Sequence, residues 1–335
     1  MSKIYTPSPE RYNDTPYVRC GVSSLRLPRL SLGMWHNFGT YDDFDVATQM
    51  VTHAFDRGIT HFDLANNYGP VPGSAEENFG RIMREQLSAY RDELIISSKA
   101  GHEMWEGPYG GNSSRKSIIA SANQSLKRTG LEYFDIFYTH RWDGETPLEE
   151  TVSALSTLVS SGKALYVGIS KYPPRKAALL YRMLKEEGVP CLVSQFRYSM
   201  FERTVEAESL PLALENGSGV VAFSSLAQGM LTNKYLGGIP ADSRVAKGHE
   251  SSMTESKITP QKLAVIEALN TMAQGRGQSL AQMALAWVLR REEVTSVVIG
   301  ASKVSQIDDS LSALDNLSFS AEELAKIEVI LSKVD

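Results

Sequence analysis

Cysteine is almost absent from this chain: Cys20 and Cys191 are the only two in 335 residues. Two cysteines so far apart cannot form a disulfide framework. No stretch clusters cysteine with histidine, so a structural zinc site is not expected, and no metal is assigned. A basic excess is missing too. The formal net charge is −5, whereas nucleic acid and anionic membrane both reward positive charge, so neither is an expected partner. No apolar run approaches the ~20 residues that cross a bilayer, and the opening MSKIYTPSPERYND has no apolar centre of the secretory kind. A reducing, cytoplasmic setting is therefore expected, in which the sequons at Asn112 and Asn216 carry no meaning. The composition, 42% hydrophobic and 22% charged, is that of a globular chain long enough to bury a large core without staples.

What is present is an alternation of two periodicities. Short β-rich apolar runs stand at 30–33, 59–64, 93–98, 134–140, 164–170, 191–196, 219–224 and 295–300. Most are continuous, as strands buried on both faces are. Helical patterns lie between them: Ala47, Met50, Val51, Ala54 and Phe55 form one stripe, and Phe79, Ile82, Met83 and Leu87 another. Ser74, Thr146, Ser279 and Ser320 are expected helix caps, and Glu77, Gln282 and Glu323 would complete capping boxes. Pro147 suits a first helical residue, and Gly58, Gly162 and Gly188 suit left-handed helix ends. Eight strands alternating with helices predict an α/β fold, a (β/α)8 TIM barrel forming one domain over 1–335. Two short runs within 17–30 are expected to form an N-terminal β-hairpin capping the barrel bottom. A doubly wound open sheet would need a glycine fingerprint after its first strand, and LSLGMWHNFG has none. The near-match beginning Gly217-Ser218-Gly219 runs into a strand rather than out of one. The longest connection, about seventy residues between the last two strands, carries a polar segment at 226–258; loops of that size are usually functional.

Active sites of such barrels lie at the C-terminal strand ends. Reading those positions in order gives Trp35, then Asp63 with Tyr68, Lys99, His140, Ser170, Gln195 and Ser224. Each alone has a plainer explanation: a turn cap, a packing ring, a snorkelling lysine, a core histidine. Asp63, Tyr68, Lys99 and His140 together, on three consecutive strands, point to chemistry. A lysine ammonium near a phenol favours the phenolate, by roughly 4 kcal/mol at ~4 Å and an effective dielectric of ~20. Asp63 would keep that lysine charged, and His140 could hold a carbonyl oxygen. Carbonyl reduction needs such a proton donor and oxygen-polarising donor, with a hydride from a nicotinamide cofactor.

These residues resemble the tetrad of the aldo-keto reductases, matched in order by Asp63, Tyr68, Lys99 and His140. HFDLANNYG at 61–69, Gly168-x-Ser170-x-Tyr172, FSSLAQGMLTNKY at 223–235 and IGASKVSQIDDSL at 299–311 resemble further family segments, so the similarity runs from about Gly33 to the C-terminal helix. The resemblance implies bound NADPH. It implies that Trp35 and Asp63 lie by the nicotinamide, that Ser170 and Gln195 hold its carboxamide, and that Ser224, Leu226, Gln228 and Gly229 line the pyrophosphate. Lys234 and Arg244 would meet the 2′-phosphate, Ser302 and Gln306 the adenine ribose, and Asp309 the adenine. Lys303 adds a further cation nearby. Lys171 and Ser310 stand where the family often has asparagine.

The aromatic, glycine-rich segment at 99–116 resembles a branch holding bacterial L-glyceraldehyde 3-phosphate reductases and potassium-channel β-subunits. That likeness implies reduction of small aldehydes, methylglyoxal among them. Trp35, Tyr68, Trp105, Tyr109, His140 and Arg141 would surround the substrate, with Arg141 either meeting a substrate phosphate or pairing with Asp143 or Glu145. It also implies a homo-oligomer, a tetramer or octamer. The alternative is an NADPH-loaded binding subunit whose main task is docking to a partner.

Overall fold

The computed structural model describes residues 5–13, 15–69, 71–240 and 254–334. Its first regular elements are Tyr17–Arg19 (β1) and Arg26–Pro28 (β2), which pair antiparallel with Tyr17 opposite Pro28. The turn between them presses on the barrel. Gly21 adopts φ 57°, the Val22 N–H donates to Gly217 O at 3.0 Å, and a Cβ on Gly21 would lie 2.0 Å from that oxygen. Only glycine fits there.

Eight parallel strands then close on themselves: Leu30–Gly33 (β3), His61–Asp63 (β4), Ile95–Ala100 (β5), Phe134–Thr139 (β6), Ala164–Ser170 (β7), Val193–Arg197 (β8), Gly219–Phe223 (β9) and Val294–Ile299 (β10). β10 pairs with both β9 and β3, which completes the ring. The predicted barrel and hairpin are therefore the observed ones. At the bottom, Cys20 and Leu27 of the hairpin pack against Ile95, Ile136, Tyr138, Leu192, Val193 and Val221. The Arg29 guanidinium donates to the carbonyls of Leu289, Val294 and Thr295, tying the hairpin's exit to the last strand.

Helices wrap the ring: Phe44–Asp56 (α1), Ser74–Ile82 (α2), Arg115–Thr129 (α3), Leu148–Ser160 (α4), Pro174–Glu186 (α5), Ser209–Glu215 (α6), Pro260–Gly275 (α7), Leu280–Leu289 (α8), Val304–Leu311 (α9) and Ala321–Leu331 (α10). α1 buries Ala47, Met50, Val51, Ala54 and Phe55, the stripe its spacing predicts. Phe79, Ile82, Met83 and Leu87 are buried too, but the winding changes from α to a wider π turn over Met83–Leu87.

The capping expectations divide. Ser279 and Ser320 form complete capping boxes with Gln282 and Glu323. Ser74 does not cap α2: Gly73, at φ 93°, holds that position, and the Ser74 hydroxyl accepts the Thr40 N–H instead. Pro147 precedes α4 rather than opening it, and Thr146 gives its hydroxyl to Asp143. Gly58, Gly162 and Gly188 are left-handed just past α1, α4 and α5, as predicted. One boundary matters for the site. β5 extends to Ala100, two residues further than the pattern suggested, so Lys99 sits inside a strand and not after it.

Candidate active site

Asp63 ends β4 and Lys99 is the penultimate residue of β5. Parallel pairing of those strands, with Asp63 opposite Ser97, brings the two side chains together. Lys99 Nζ donates to Asp63 Oδ2 at 2.6 Å, to Leu64 O at 2.7 Å and to the Tyr68 hydroxyl at 3.4 Å. All three ammonium hydrogens are thereby used. Both charged residues are buried, which is tolerable because they neutralise each other. The turn after β4 delivers the phenol: the Asn66 N–H donates to Lys99 O and the Tyr68 N–H to Ala65 O, each at 3.0 Å. The Tyr68 ring stacks on Trp35 at 6.2 Å and meets the His140 ring edge-on at 6.0 Å. His140 follows β6 directly, its N–H bound to Ala100 O at 2.8 Å.

The electrostatics correct one expectation. Burial, reinforced by the negative charge of Asp63, pushes the Tyr68 phenol well above its ordinary value. Near a lysine already paired with an aspartate, the phenol meets little net positive charge. Tyr68 is therefore a held proton rather than a poised phenolate. Burial lowers the Lys99 ammonium, with Asp63 opposing that shift. Burial also drives His140 well below the usual imidazole value, helped by the cations of Lys171 and Lys99. A neutral imidazole can donate one hydrogen bond without bringing charge.

Beneath Asp63 runs a polar chain that the sequence reading did not single out. Ser97 Oγ donates to Asp63 Oδ1 at 2.7 Å, and His61 Nε2 lies 3.0 Å from the same hydroxyl. His61 Nδ1 is 2.8 Å from Ser31 Oγ, which is 2.7 Å from Ser296 Oγ. Complete burial pulls His61 down to about 4, so it is neutral. The directions follow. Ser97 has spent its only hydrogen on Asp63, so Nε2–H donates to Ser97, Ser31 donates to Nδ1, and Ser296 donates to Ser31.

Ser170 and Gln195, paired across β7 and β8, are buried, and Ser170 Oγ and Gln195 Nε2 have no hydrogen-bond partner among the described residues. An unsatisfied acceptor and donor side by side fit a carboxamide, which offers both. The loop after β9 carries Ser224 at φ 56°, Ala227 at 47° and Gln228 at 59°. Non-glycine residues held left-handed in this way concentrate at ligand sites. Leu226 and Gly229 are joined within it by the Gly229 N–H on Leu226 O at 2.9 Å. The positions that the resemblance assigns to the pyrophosphate all fall on this loop. Lys234 lies on a short turn just beyond it, capped by Thr232. Arg244 lies outside the described residues. Gln306 accepts from Ser302 N at 2.8 Å and Ser302 Oγ at 3.2 Å, so these two are brought together. Lys303 is exposed at the start of α9. Asp309 accepts from Gln282 Nε2 at 2.7 Å and so is engaged by the start of α8. Ser310 donates to Gln306 O.

On the substrate side, Trp35, Trp105 and Tyr109 are exposed. Among the described residues, the rings meeting Tyr68 and His140 are Trp35 and His102; Trp105 is not one of them. Arg141 donates Nε to Gly101 O at 3.0 Å. Asp143 takes the N–H groups of Ser113, Glu145 and Thr146, and among the described residues Arg141 forms an ion pair with neither Asp143 nor Glu145. His102 was not expected to line the mouth, whereas Lys171 was placed there by its position after Ser170, where the family often has asparagine. His102 is three residues past Lys99, and its repeat of an ionisable residue on that loop was the available signal.

Fold and site together define an oxidoreductase built on a (β/α)8 barrel, with a cluster of buried ionisable side chains at the strand ends. The chain belongs to the aldo/keto reductase family, whose family model matches residues 29–332. It is 54% identical over 328 residues to L-glyceraldehyde 3-phosphate reductase of Escherichia coli (strain K12), covering 97% of this chain and 95% of that protein. It is also 36% identical over 321 residues to a probable voltage-gated potassium channel subunit beta of Oryza sativa subsp. japonica, covering 94% of this chain and 96% of that one. A second such subunit, from Arabidopsis thaliana, is 36% identical over 305 residues, 89% of this chain and 91% of the relative.

Proposed function

We propose that the chain reduces short aldehydes, L-glyceraldehyde 3-phosphate and methylglyoxal among them, to alcohols with NADPH, and that Tyr68 gives the proton. The observation that carries this is the set of three bonds from Lys99 to Asp63, Leu64 and Tyr68. It holds the Tyr68 phenol, whose burial favours the protonated form, near His140, whose burial favours the neutral ring. In this reading His140 donates to the carbonyl oxygen and orients it. Tyr68 passes its proton to the same oxygen as negative charge grows there, and Lys99 steadies the phenolate left behind. The nicotinamide, when bound, supplies the hydride. Ser170 and Gln195 would hold its carboxamide, the 224–229 loop its phosphates, and Lys234 with Arg244 the 2′-phosphate that separates NADPH from NADH.

The reading also takes the protein to be a cytoplasmic homo-oligomer, in keeping with the two free, buried cysteines; sedimentation measures the assembly. The test is the fall in NADPH absorbance with each aldehyde, for wild type and Tyr68→Phe. Turnover should drop by about three orders of magnitude in the variant, while NADPH affinity by fluorescence is retained. Near wild-type rates in Tyr68→Phe overturn the proton-donor role. Tight cofactor binding with negligible wild-type turnover would favour a regulatory subunit like the channel β-subunits.

A further inference from the structure

Three loops bring nitrogen donors to the mouth beside His140, two of them cations. Lys171 Nζ lies 2.8 Å from His102 Nε2, and the His102 ring meets His140 edge-on at 4.3 Å. Arg141 adjoins His140 in the chain, and its Nε is held on Gly101 O. Lys171 itself is left-handed, at φ 58°, an unfavourable conformation for lysine that fixes the direction of its side chain. Among the described residues no carboxylate forms an ion pair with Lys171 or Arg141. Lys99, by contrast, is paired with Asp63.

We propose, resting on the reductase reading above, that Lys171, Arg141 and His102 form a subsite for the anionic group of the substrate, a phosphate on a short aldehyde chain. The donors fit that ligand. Lys171 spends one hydrogen on His102 and keeps two, and Arg141 spends Nε–H and keeps both terminal nitrogens. His102, accepting at Nε2, carries its hydrogen on Nδ1. The three residues follow β5, β6 and β7, on the opposite arc of the ring from the loops after β9 and β10. The anion they serve is thus distinct from the cofactor's phosphates. A phosphate seated there leaves its aldehyde end toward His140 and Tyr68.

The pH response is specific. Burial, with Lys99, Arg141 and Arg197 adding repulsion, brings the Lys171 ammonium down to about 8. The groups facing it are those three cations with His102 and His140, and the two histidines are neutral at this pH because both are lowered. Above pH 8 the free enzyme therefore loses one of the two cations of the subsite, while the substrate phosphate, ionised above ~6, does not change.

The experiment measures kcat/KM for glyceraldehyde 3-phosphate and for glyceraldehyde in wild type, Lys171→Met and Arg141→Met, with NADPH affinity by fluorescence. Each substitution should lower the ratio of the two kcat/KM values on the order of 10- to 100-fold, through KM, as loss of a charge-assisted bond does. In wild type the ratio should fall as pH rises from 7 to 9. An unchanged ratio, or a loss that tracks weakened NADPH binding, overturns the subsite. Calorimetry with inorganic phosphate on the NADPH-loaded protein decides independently of turnover. Binding weakened at least tenfold in Lys171→Met supports the subsite even if neither aldehyde is reduced, an outcome that would sink the reductase reading alone. Wild type that binds no phosphate overturns the subsite.

Discussion

The two ends of the barrel are made differently from the same strands. At the bottom, the hairpin residues Cys20 and Leu27 close an apolar cluster, and the turns leading into the strands relax their backbone with glycine, as at Gly58, Gly162 and Gly188. At the top, each left-handed non-glycine residue among those described lies on a strand-to-helix loop: Asn37, Lys171, Ser224, Ala227 and Gln228. Buried polar atoms of Ser170, Gln195 and His140 are left unsatisfied there. The bottom is not free of unmet groups, since the Tyr138 hydroxyl of its cluster has no partner among the described residues, but the non-glycine backbone strain is held at the top, where a ligand can relieve it.

That division can be broken by experiment. Lys99→Met should give the largest effect, about three orders of magnitude in kcat. It should also cost about 3–5 kcal/mol of stability, because Asp63 is left buried without its partner, and both losses appear in parallel kinetics and urea unfolding. A variant as active as wild type would mean the top does not need the pair.

Acid comes next. His61 has a folded value of about 4 against an ordinary ~6.5 in the unfolded chain. Between those limits the unfolded chain binds a proton that the folded chain refuses. The stability contributed is whole above pH 6.5 and is lost, by about 3 kcal/mol, as pH falls toward 4. His61→Gln should remove about one proton from the pH dependence of unfolding in that window. An unchanged slope would show that His61 takes up its proton in the folded state.

The smallest effects belong to the bottom. Gly21→Ala should cost about 2–3 kcal/mol, since its Cβ would meet Gly217 O and its φ is left-handed. Gly188→Ala, left-handed but with open space around it, should cost about 1 kcal/mol. Neither glycine approaches the strand tops, so turnover per folded molecule should stay at the wild-type level; a kcat loss in either would tie the two ends together.

Much of this was legible in sequence because barrel strands are buried on both faces and announce themselves as continuous apolar runs. Asp63, Tyr68, Lys99 and His140 could be picked out because strand-end position is itself a geometric statement. Three features could not be read this way. Ser74 looked like a cap, but capping depends on the φ of Gly73, which composition does not encode. The Tyr68 phenol is raised rather than lowered, because desolvation depends on everything packed around it. Lys171 was visible only as a departure from asparagine, and its partner His102 comes from a loop sixty-nine residues away.

The chain of bonds from Ser296 to Asp63 has a kinetic consequence. Each hydroxyl in it has one hydrogen, already committed, and the neutral His61 permits a single orientation for the series. Below it lies the apolar cluster closed by the hairpin. That series ends on Asp63 and does not reach the Tyr68 hydroxyl, whose bond among the described residues is the one from Lys99. If Tyr68 surrenders a proton in each cycle, the replacement has to enter through the mouth that substrate and product share. Recharging the phenol is then tied to product departure, and the enzyme cannot rearm while the alcohol is still in place.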